Sequence, residues 1–148
     1  MNSSNSVTLN SSTSNSTFEL IDTHCHIHDP EFASKYKETQ DELIREAASE
    51  GVNKLICVGT DLKSSIQAIV FSQGREGCYS SLAIHPHEVA NFDINLLLSE
   101  VDSFDNLITE NQEKVVAIGE CGLDYYYHVD KKIQEAQKKL LIKHLDIA

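Results

Sequence analysis

Four short apolar runs, each followed by residues with helical spacing, are the feature that most restricts how this chain can fold. An apolar run such as "KLICVG" is typical of a strand buried on both faces of a parallel sheet. A strand–helix repeat with a period of about 30 to 40 residues is typical of βαβ units, so the pattern predicts an α/β fold with a helix-covered parallel sheet. The predicted strands are residues 18–24, 54–59, 78–87 and 114–120, and the predicted helices are residues 39–49, 62–72, 95–110 and 131–147.

The repeat leaves two architectures open, a doubly wound sheet or part of a (β/α)8 barrel, and the periodicity does not separate them. In both architectures ligands bind at the carboxyl ends of the strands. Here the predicted strand ends read "DTHCH", "VGTD", "AIHPH" and "GECGLD". Residues able to coordinate metals or transfer protons therefore gather at one rim, where we expect the functional site.

The charge balance narrows the classes of function. The formal net charge is −11, which argues against a protein that grips nucleic acid through a broadly basic face. It permits an acidic pocket that binds divalent cations, which themselves bring positive charge to a phosphate. The sequence contains no apolar run near the roughly 20 residues that span a bilayer and no recognisable signal peptide, so we expect no membrane association and a cytoplasmic protein, with the nucleus as an open alternative.

The N-terminal stretch "MNSSNSVTLNSSTSNST" is almost entirely Ser, Asn and Thr. It has no apolar face to offset the entropy of ordering, so we predict a disordered tail at 1–17 and a folded domain at 18–148. The 4 cysteines are far apart in sequence and none forms a CxxC pair, so we expect free thiols.

Two histidines stand at the end of the first predicted strand. His24 and His26 are one residue apart, so in an extended segment their side chains point the same way. Two neutral imidazoles on one side of a strand end can bind one metal ion. The alternative is one surface histidine and one that bonds to the backbone. Asp22 is a candidate to orient a ring, and His28 continues the alternation into the following loop.

A glutamate stands at the end of the fourth predicted strand, in "IGECGLD". The carboxylate of Glu120 near two imidazoles completes a mixed nitrogen and oxygen set that suits zinc, manganese or magnesium. The alternative is a solvated loop glutamate. Asp124 is a candidate helix cap or ligand-orienting group. Tyr125, Tyr126 and Tyr127 follow it and are suited to lining a pocket, stacking on a base or packing within the rim.

Two more histidines follow the third apolar run, in "AIHPH". His85 and His87 flank Pro86, whose ring restricts the backbone between them. They are candidates for metal ligands or for donors to a phosphate, and we favour contact with substrate over metal ligation.

Together, "IDTHCHIHD", "AIHPH" and "GECGLDYYY" resemble the motifs of the TatD family of metal-dependent hydrolases, which are similar to deoxyribonucleases. The resemblance runs from about Leu20 to the last residue, and it implies an eight-stranded (β/α)8 barrel with one or two divalent metal ions at its carboxyl rim. It also implies that His24, His26 and Glu120 are metal ligands, that Glu120 is catalytic, and that the enzyme cleaves phosphodiester bonds in DNA or in another phosphoester substrate.

Such a barrel typically takes about 250 residues, so the resemblance covers only its N-terminal half. The family completes its site with two more histidines and an aspartate on later strands, which would lie beyond Ala148. Two alternatives therefore stay open. One is a truncated, inactive fragment that binds only metal or a partner, and the other is a metal-dependent hydrolase of another ester or amide. The open edges of a half barrel also predict self-association.

Overall fold

Four parallel strands form one continuous sheet in the order β1-β2-β3-β4, so each strand pairs with its neighbour in sequence. The structure is a computed structural model that describes residues 19–148, and the tail predicted at 1–17 lies outside the described residues. Parallel neighbours need a crossover between them, and helices supply it. The strands are β1 (Leu20–Cys25), β2 (Val52–Val58), β3 (Cys78–Leu82) and β4 (Val115–Ile118). The helices are α1 (Pro30–Tyr36), α2 (Gln40–Ser49), α3 (Leu62–Ser72), α4 (Ile94–Asp102), α5 (Phe104–Glu110) and α6 (Lys131–Ile147).

Four of these helices begin at an aspartate. The side chains of Asp29, Asp61, Asp93 and Asp130 each accept a hydrogen bond from a backbone N–H in the first turn of α1, α3, α4 and α6. Such a cap satisfies an N–H that a helix start leaves unpaired, and it places negative charge at the positive end of the helix dipole. Each of these helices comes after a different strand, so the four aspartates lie on the side of the sheet where the strands end.

Two apolar clusters pack the sheet against its helices. One contains Leu82, Phe104 and Leu140 and joins β3 to α5 and α6, and the other contains Cys57 and Phe71 and joins β2 to α3. All four cysteines are free thiols, as predicted. In the part of the chain that the structure describes, no helix has the length and apolar character needed to cross a bilayer. The opposite face of the sheet lines a concave pocket of about 250 Å³.

Two helical features differ from the predicted pattern. The helix expected at 95–110 is broken at Ser103, whose Oγ donates a hydrogen bond to the carbonyl oxygen of Glu100 (2.6 Å). A serine hydroxyl that bonds nearby backbone competes with the helix's own hydrogen bonds. The second difference is α1, which the apolar periodicity does not predict. Its start signal is Asp29 followed by Pro30 at the first helical position.

The third strand is shorter than predicted. β3 ends at Leu82, and the "HPH" residues instead lead into a short 3₁₀ helix (Pro86–Ala90). Pro86 has no N–H to offer a neighbouring strand, and the backbone N–H of His87 donates to Nδ1 of His85 (3.2 Å). This turn brings the two histidine rings to a centroid separation of 4.5 Å.

Candidate metal centre

Two histidines from the end of β1 and a glutamate from the end of β4 converge on one point. His24, His26 and Glu120 each offer a ligand atom, and these atoms all lie within 4.8 Å of one another. The expectation that the rim of the sheet would gather these three side chains is therefore met in the geometry.

The spacing of the three side chains fits the donor set of a single divalent ion. Nε2 of His24 lies 3.2 Å from Oε2 of Glu120. Two ligands of a tetrahedral ion with bonds of about 2.1 Å lie about 3.4 Å apart, so this pair already has the separation that an ion imposes. The His24 and His26 rings lie edge to face with centroids 5.3 Å apart.

The site opens to solvent on one side and to the inner face of the sheet on the other. The His24 side chain is 54% exposed and that of Glu120 is 35% exposed. Both border the concave pocket, whose floor is built from small or apolar strand residues that include Ile56, Ser81 and Ala117. A site of this shape has room for an ion and part of a substrate.

Two further residues of the first motif have roles other than coordination. Oδ1 of Asp22 accepts a hydrogen bond from the backbone N–H of His24 (3.0 Å), so Asp22 orients the backbone of the motif and not a ring. His28 is buried and its Nε2 lies 3.2 Å from Oγ of Ser64. Burial, together with the neighbouring His26, lowers the pKa of His28 to about 4. His28 is therefore a neutral side chain bonded to α3, outside the cluster of three.

The "HPH" histidines approach the same rim from β3. Nε2 of His85 lies 3.5 Å from Oε1 of Glu120, so His85 faces the carboxylate oxygen that His24 leaves free. Because Nδ1 of His85 accepts the N–H of His87, the proton of its neutral ring is on Nε2, which is then a donor. Burial lowers the pKa of His85, and the Glu120 carboxylate opposes that shift. His85 is thus a neutral N–H donor beside Glu120.

His87 pairs with a carboxylate of its own. Its Nε2 contacts Oδ2 of Asp124, and Oδ1 of Asp124 accepts the backbone N–H groups of Tyr126 (3.1 Å) and Tyr127 (3.2 Å). The hydrogen bond from His87 is the main cause that holds the pKa of Asp124 below its ordinary value, and the backbone N–H groups add to it. Asp124 therefore remains a carboxylate that orients His87.

A row of aromatic rings leads outward from this pair. The centroids of His87 and Tyr127 are 5.5 Å apart, and those of Tyr127 and Tyr126 are 4.8 Å apart. The row begins at His85, next to Glu120. Tyr126 is 84% exposed and Tyr127 is 69% exposed. Of the alternatives that the sequence leaves open for the tyrosines, packing within the rim does not fit these two side chains.

Gln137 also builds this rim, although the sequence patterns do not identify it as a site residue. It lies in α6, is fully buried, and bonds to the backbone of both Pro86 and Asp124. The signal that points to it is a glutamine on the apolar face of a helix, three residues before Leu140 and seven before His144, both of which are buried. A buried amide of this kind needs hydrogen-bond partners, and here those partners are the loops of the site.

Comparison with known proteins places this rim in a family. The family model described as TatD related DNase matches residues 21–148. The chain is 32% identical over 93 residues to a Cronobacter sakazakii protein named 3′-5′ ssDNA/RNA exonuclease TatD. The aligned segment covers 63% of this chain and 33% of that protein. The chain is 30% identical over 129 residues to the uncharacterized metal-dependent hydrolase YabD of Bacillus subtilis, which covers 87% of this chain and 46% of that protein.

A solved structure gives the same result. The crystal structure of YJJV, a TatD homologue from Escherichia coli, superposes with a TM-score of 0.68 at 27% identity, over 86% of this chain and 46% of that chain. The chain thus spans less than half the length of each of these relatives. The predicted fold, a parallel α/β sheet forming part of a barrel, is confirmed. From residue 21 to residue 148, this chain belongs to the family of TatD-related DNases.

Proposed function

We propose that this chain carries the N-terminal part of a metal-dependent phosphodiesterase site that acts on single-stranded nucleic acid. The observation that carries the proposal is the convergence of His24, His26 and Glu120 from opposite edges of the sheet. Membership of the TatD-related DNases and the names of the relatives, a 3′-5′ ssDNA/RNA exonuclease and a metal-dependent hydrolase, support it.

The donor set favours a borderline or hard divalent cation. Two imidazole nitrogens and a carboxylate oxygen suit zinc or manganese, and the carboxylate also suits magnesium. Cys25 lies between the two histidines in sequence, but its Sγ donates to the carbonyl oxygen of Ile56 (3.4 Å) and is not a member of the cluster of three. The two oxygens of Glu120 face His24 and His85 respectively, which would let Glu120 bridge a second ion.

A bound divalent ion supplies Lewis-acid activation of water and of a phosphoryl oxygen. The residues of this chain hold that ion and receive the substrate. His85 offers its Nε2–H beside Glu120, and His87, oriented by Asp124, stands next to it. The Nε2–H of His85 is placed to contact a non-bridging oxygen of a phosphate, and the His87 ring lines the same approach, in keeping with the role that we favour for them.

The row of exposed rings supports an unpaired strand as substrate. Every base has a face that stacks on an aromatic ring, and inside a duplex that face is covered by the neighbouring base pair. Tyr127 and Tyr126 continue the row that begins at His85, so a base bound there would have its phosphate near the histidines. The net charge of −11 counts against a long duplex, which would need a basic face.

The test is cleavage of end-labelled oligonucleotides, single-stranded and duplex, by the 148-residue chain with Mn²⁺ or Zn²⁺. We expect metal-dependent cleavage of the single strand that Glu120→Gln abolishes. The matched control is Glu135→Gln, which removes an exposed carboxylate of α6 that pairs with Lys138. Equal cleavage by the unmodified chain and by Glu120→Gln would overturn the proposal.

The alternatives predict other outcomes of the same experiment. A chain that binds metal through the same three residues but cleaves nothing, while a version extended by later strands does cleave, would be the inactive metal-binding fragment. Cleavage of small phosphate, carboxylate or amide esters in preference to oligonucleotides would identify a hydrolase of another substrate, because barrel rims of this kind host many chemistries.

A further inference from the structure

The side chain of Gln137 connects the two loops that carry the site. Its Oε1 accepts the backbone N–H of Asp124 (2.9 Å). Its Nε2 donates to the carbonyl oxygens of Pro86 (3.2 Å) and Asp124 (3.2 Å). Gln137 is 0% exposed, and its bond to Pro86 is made away from water, so the Pro86 carbonyl would be unpaired without it.

The backbones of the two loops are not bonded directly to each other. One follows β3 and carries His85 and His87, and the other follows β4 and carries Glu120 and Asp124. Among residues 19–148, no backbone-to-backbone hydrogen bond joins residues 85–91 to residues 121–128. The direct contacts between these loops include the His87–Asp124 pair and the His87–Tyr127 ring contact, both of which depend on the register of the two loops.

We propose that Gln137 is a positioning residue, which fixes His87 against Asp124 by holding the backbones of Pro86 and Asp124 to one amide group. The inference rests on the proposed function in so far as His87 contacts substrate. A site held within a fraction of an ångström needs such support from the residues behind it.

A glutamine side chain has the hydrogen-bonding groups and the length needed to join the backbones of Pro86 and Asp124. It has one acceptor and two donor hydrogens on adjacent atoms, and all three groups find partners here. A methionine of similar size fills the space but leaves one N–H and two carbonyl groups without partners. Gln137→Met is therefore expected to free the two loops from each other while keeping the packing of α6.

A matched control lies one turn earlier in the same helix. Gln134 is also buried, and its Nε2 donates to the carbonyl oxygen of His128 (3.0 Å). It touches neither Pro86 nor Asp124 among its hydrogen-bond partners. Gln134→Met therefore removes a buried amide from α6 without removing the link between the loops.

The experiment is an NMR titration of the Asp124 carboxyl carbon in the unmodified chain, Gln137→Met and Gln134→Met, with the free energy of unfolding measured for each. We expect the Asp124 titration to move to higher pH in Gln137→Met, because the hydrogen bond from His87 weakens, and to stay in place in Gln134→Met. A residue that only supports the fold would lower stability in both variants and move neither titration. An unchanged Asp124 titration in a folded Gln137→Met protein would overturn the proposal.

A measurement on the unmodified chain covers the case in which Gln137→Met does not fold. The side-chain NH₂ signals of Gln137 should shift as Asp124 titrates, whereas those of Gln134 should not. Side-chain NH₂ signals of Gln137 that do not shift as Asp124 titrates would refute the inference. Neither readout uses metal or turnover, so failure to cleave would count against the proposed function and leave this inference standing.

Discussion

Oε2 of Glu120 lies 3.2 Å from Nε2 of His24, although His24 lies in β1 and Glu120 follows β4, the two outer strands of the sheet. Three strand spacings in a flat sheet amount to about 14 Å, which the two side chains alone would have to bridge. The contact therefore requires the sheet to curl, as it does in a barrel, so that the ends of β1 and β4 face each other across the concave side. The candidate metal centre is a product of this curvature.

Removal of any member of the cluster is expected to weaken metal binding. His24→Ala, His26→Ala and Glu120→Gln each remove one of the three donors that cluster among residues 19–148, so affinity for Zn²⁺ should fall by more than about 100-fold. Isothermal titration calorimetry measures this. His128→Ala is the control, since His128 lies near His87 but outside the cluster. Binding that survives all three substitutions would place the ion elsewhere.

Loss of the outermost ring of the row is expected to weaken binding of a single strand. Tyr126→Ala removes an exposed ring, and stacking of one base is worth about 1–3 kcal/mol, so affinity for a short oligonucleotide should fall by roughly 5- to 150-fold. Tyr126→Phe should retain most of the affinity. Fluorescence anisotropy with a labelled oligonucleotide makes the measurement. Tyr36→Ala, at an exposed tyrosine of α1, is the control, and an equal loss in both alanine variants would argue against stacking.

Acid is expected to destabilise the fold through His144. The ring is fully buried, Nε2 accepts the N–H of Ile84 (3.0 Å) and Nδ1 bonds the carbonyl oxygen of Leu140 (2.8 Å). Burial lowers the pKa of His144 below its ordinary value of 6.5. As the pH falls below 6.5, the ring of His144 becomes protonated in the unfolded chain but stays neutral in the folded chain. The free energy of unfolding then falls, by up to about 1.4 kcal/mol per pH unit for this one group.

Urea unfolding at about pH 7 and about pH 5.5 measures this dependence. A glutamine offers an acceptor and a donor of similar reach without titrating, so the His144→Gln variant should lose less stability between the two conditions. Identical losses in the two proteins would assign the acid sensitivity to other groups.

The outer strands are expected to promote association between copies of the 148-residue chain. Ile21 on β1 and Val116 on β4 are about half exposed, at 52% and 49%. An unpaired strand edge with exposed apolar side chains is a template for pairing with another chain, and a charge placed there opposes it. Val116→Lys should therefore shift the chain toward monomer in sedimentation velocity, while Ile142→Lys on the outside of α6 should not. A stable monomer of the unmodified chain would contradict this prediction.

The sequence predicts the parallel α/β fold and the rim because both follow from local patterns. Apolar runs locate the strands, and the polar residues that follow them must share one edge when all strands are parallel. His24 and Glu120 are found in this way. What the local pattern does not contain is the curvature that brings them within 3.2 Å, since that depends on strand twist and register across the whole sheet.

Other features escape prediction for identifiable reasons. Pro86 indicates a turn, but the apolar residues before it continue the strand pattern beyond Leu82, where β3 ends. The break at Ser103 depends on whether the serine hydroxyl bonds to the carbonyl oxygen of Glu100 or to water, which the sequence pattern does not determine. Gln137 lies in a helix rich in polar residues, so only its position on the buried face distinguishes it.

The aspartates that begin α1, α3, α4 and α6 lie on the same side of the sheet as the rim that the proposed nucleic-acid substrate would approach. Glu88 and Asp61 also line one small cavity, with Lys63 among their neighbours there. Nucleic acid arriving at this end meets like charge, which dissolved ions screen over about 10 Å at 0.1 M. Moderate ionic strength should therefore preserve or strengthen substrate association, opposite to the steep weakening seen when basic surfaces release counterions.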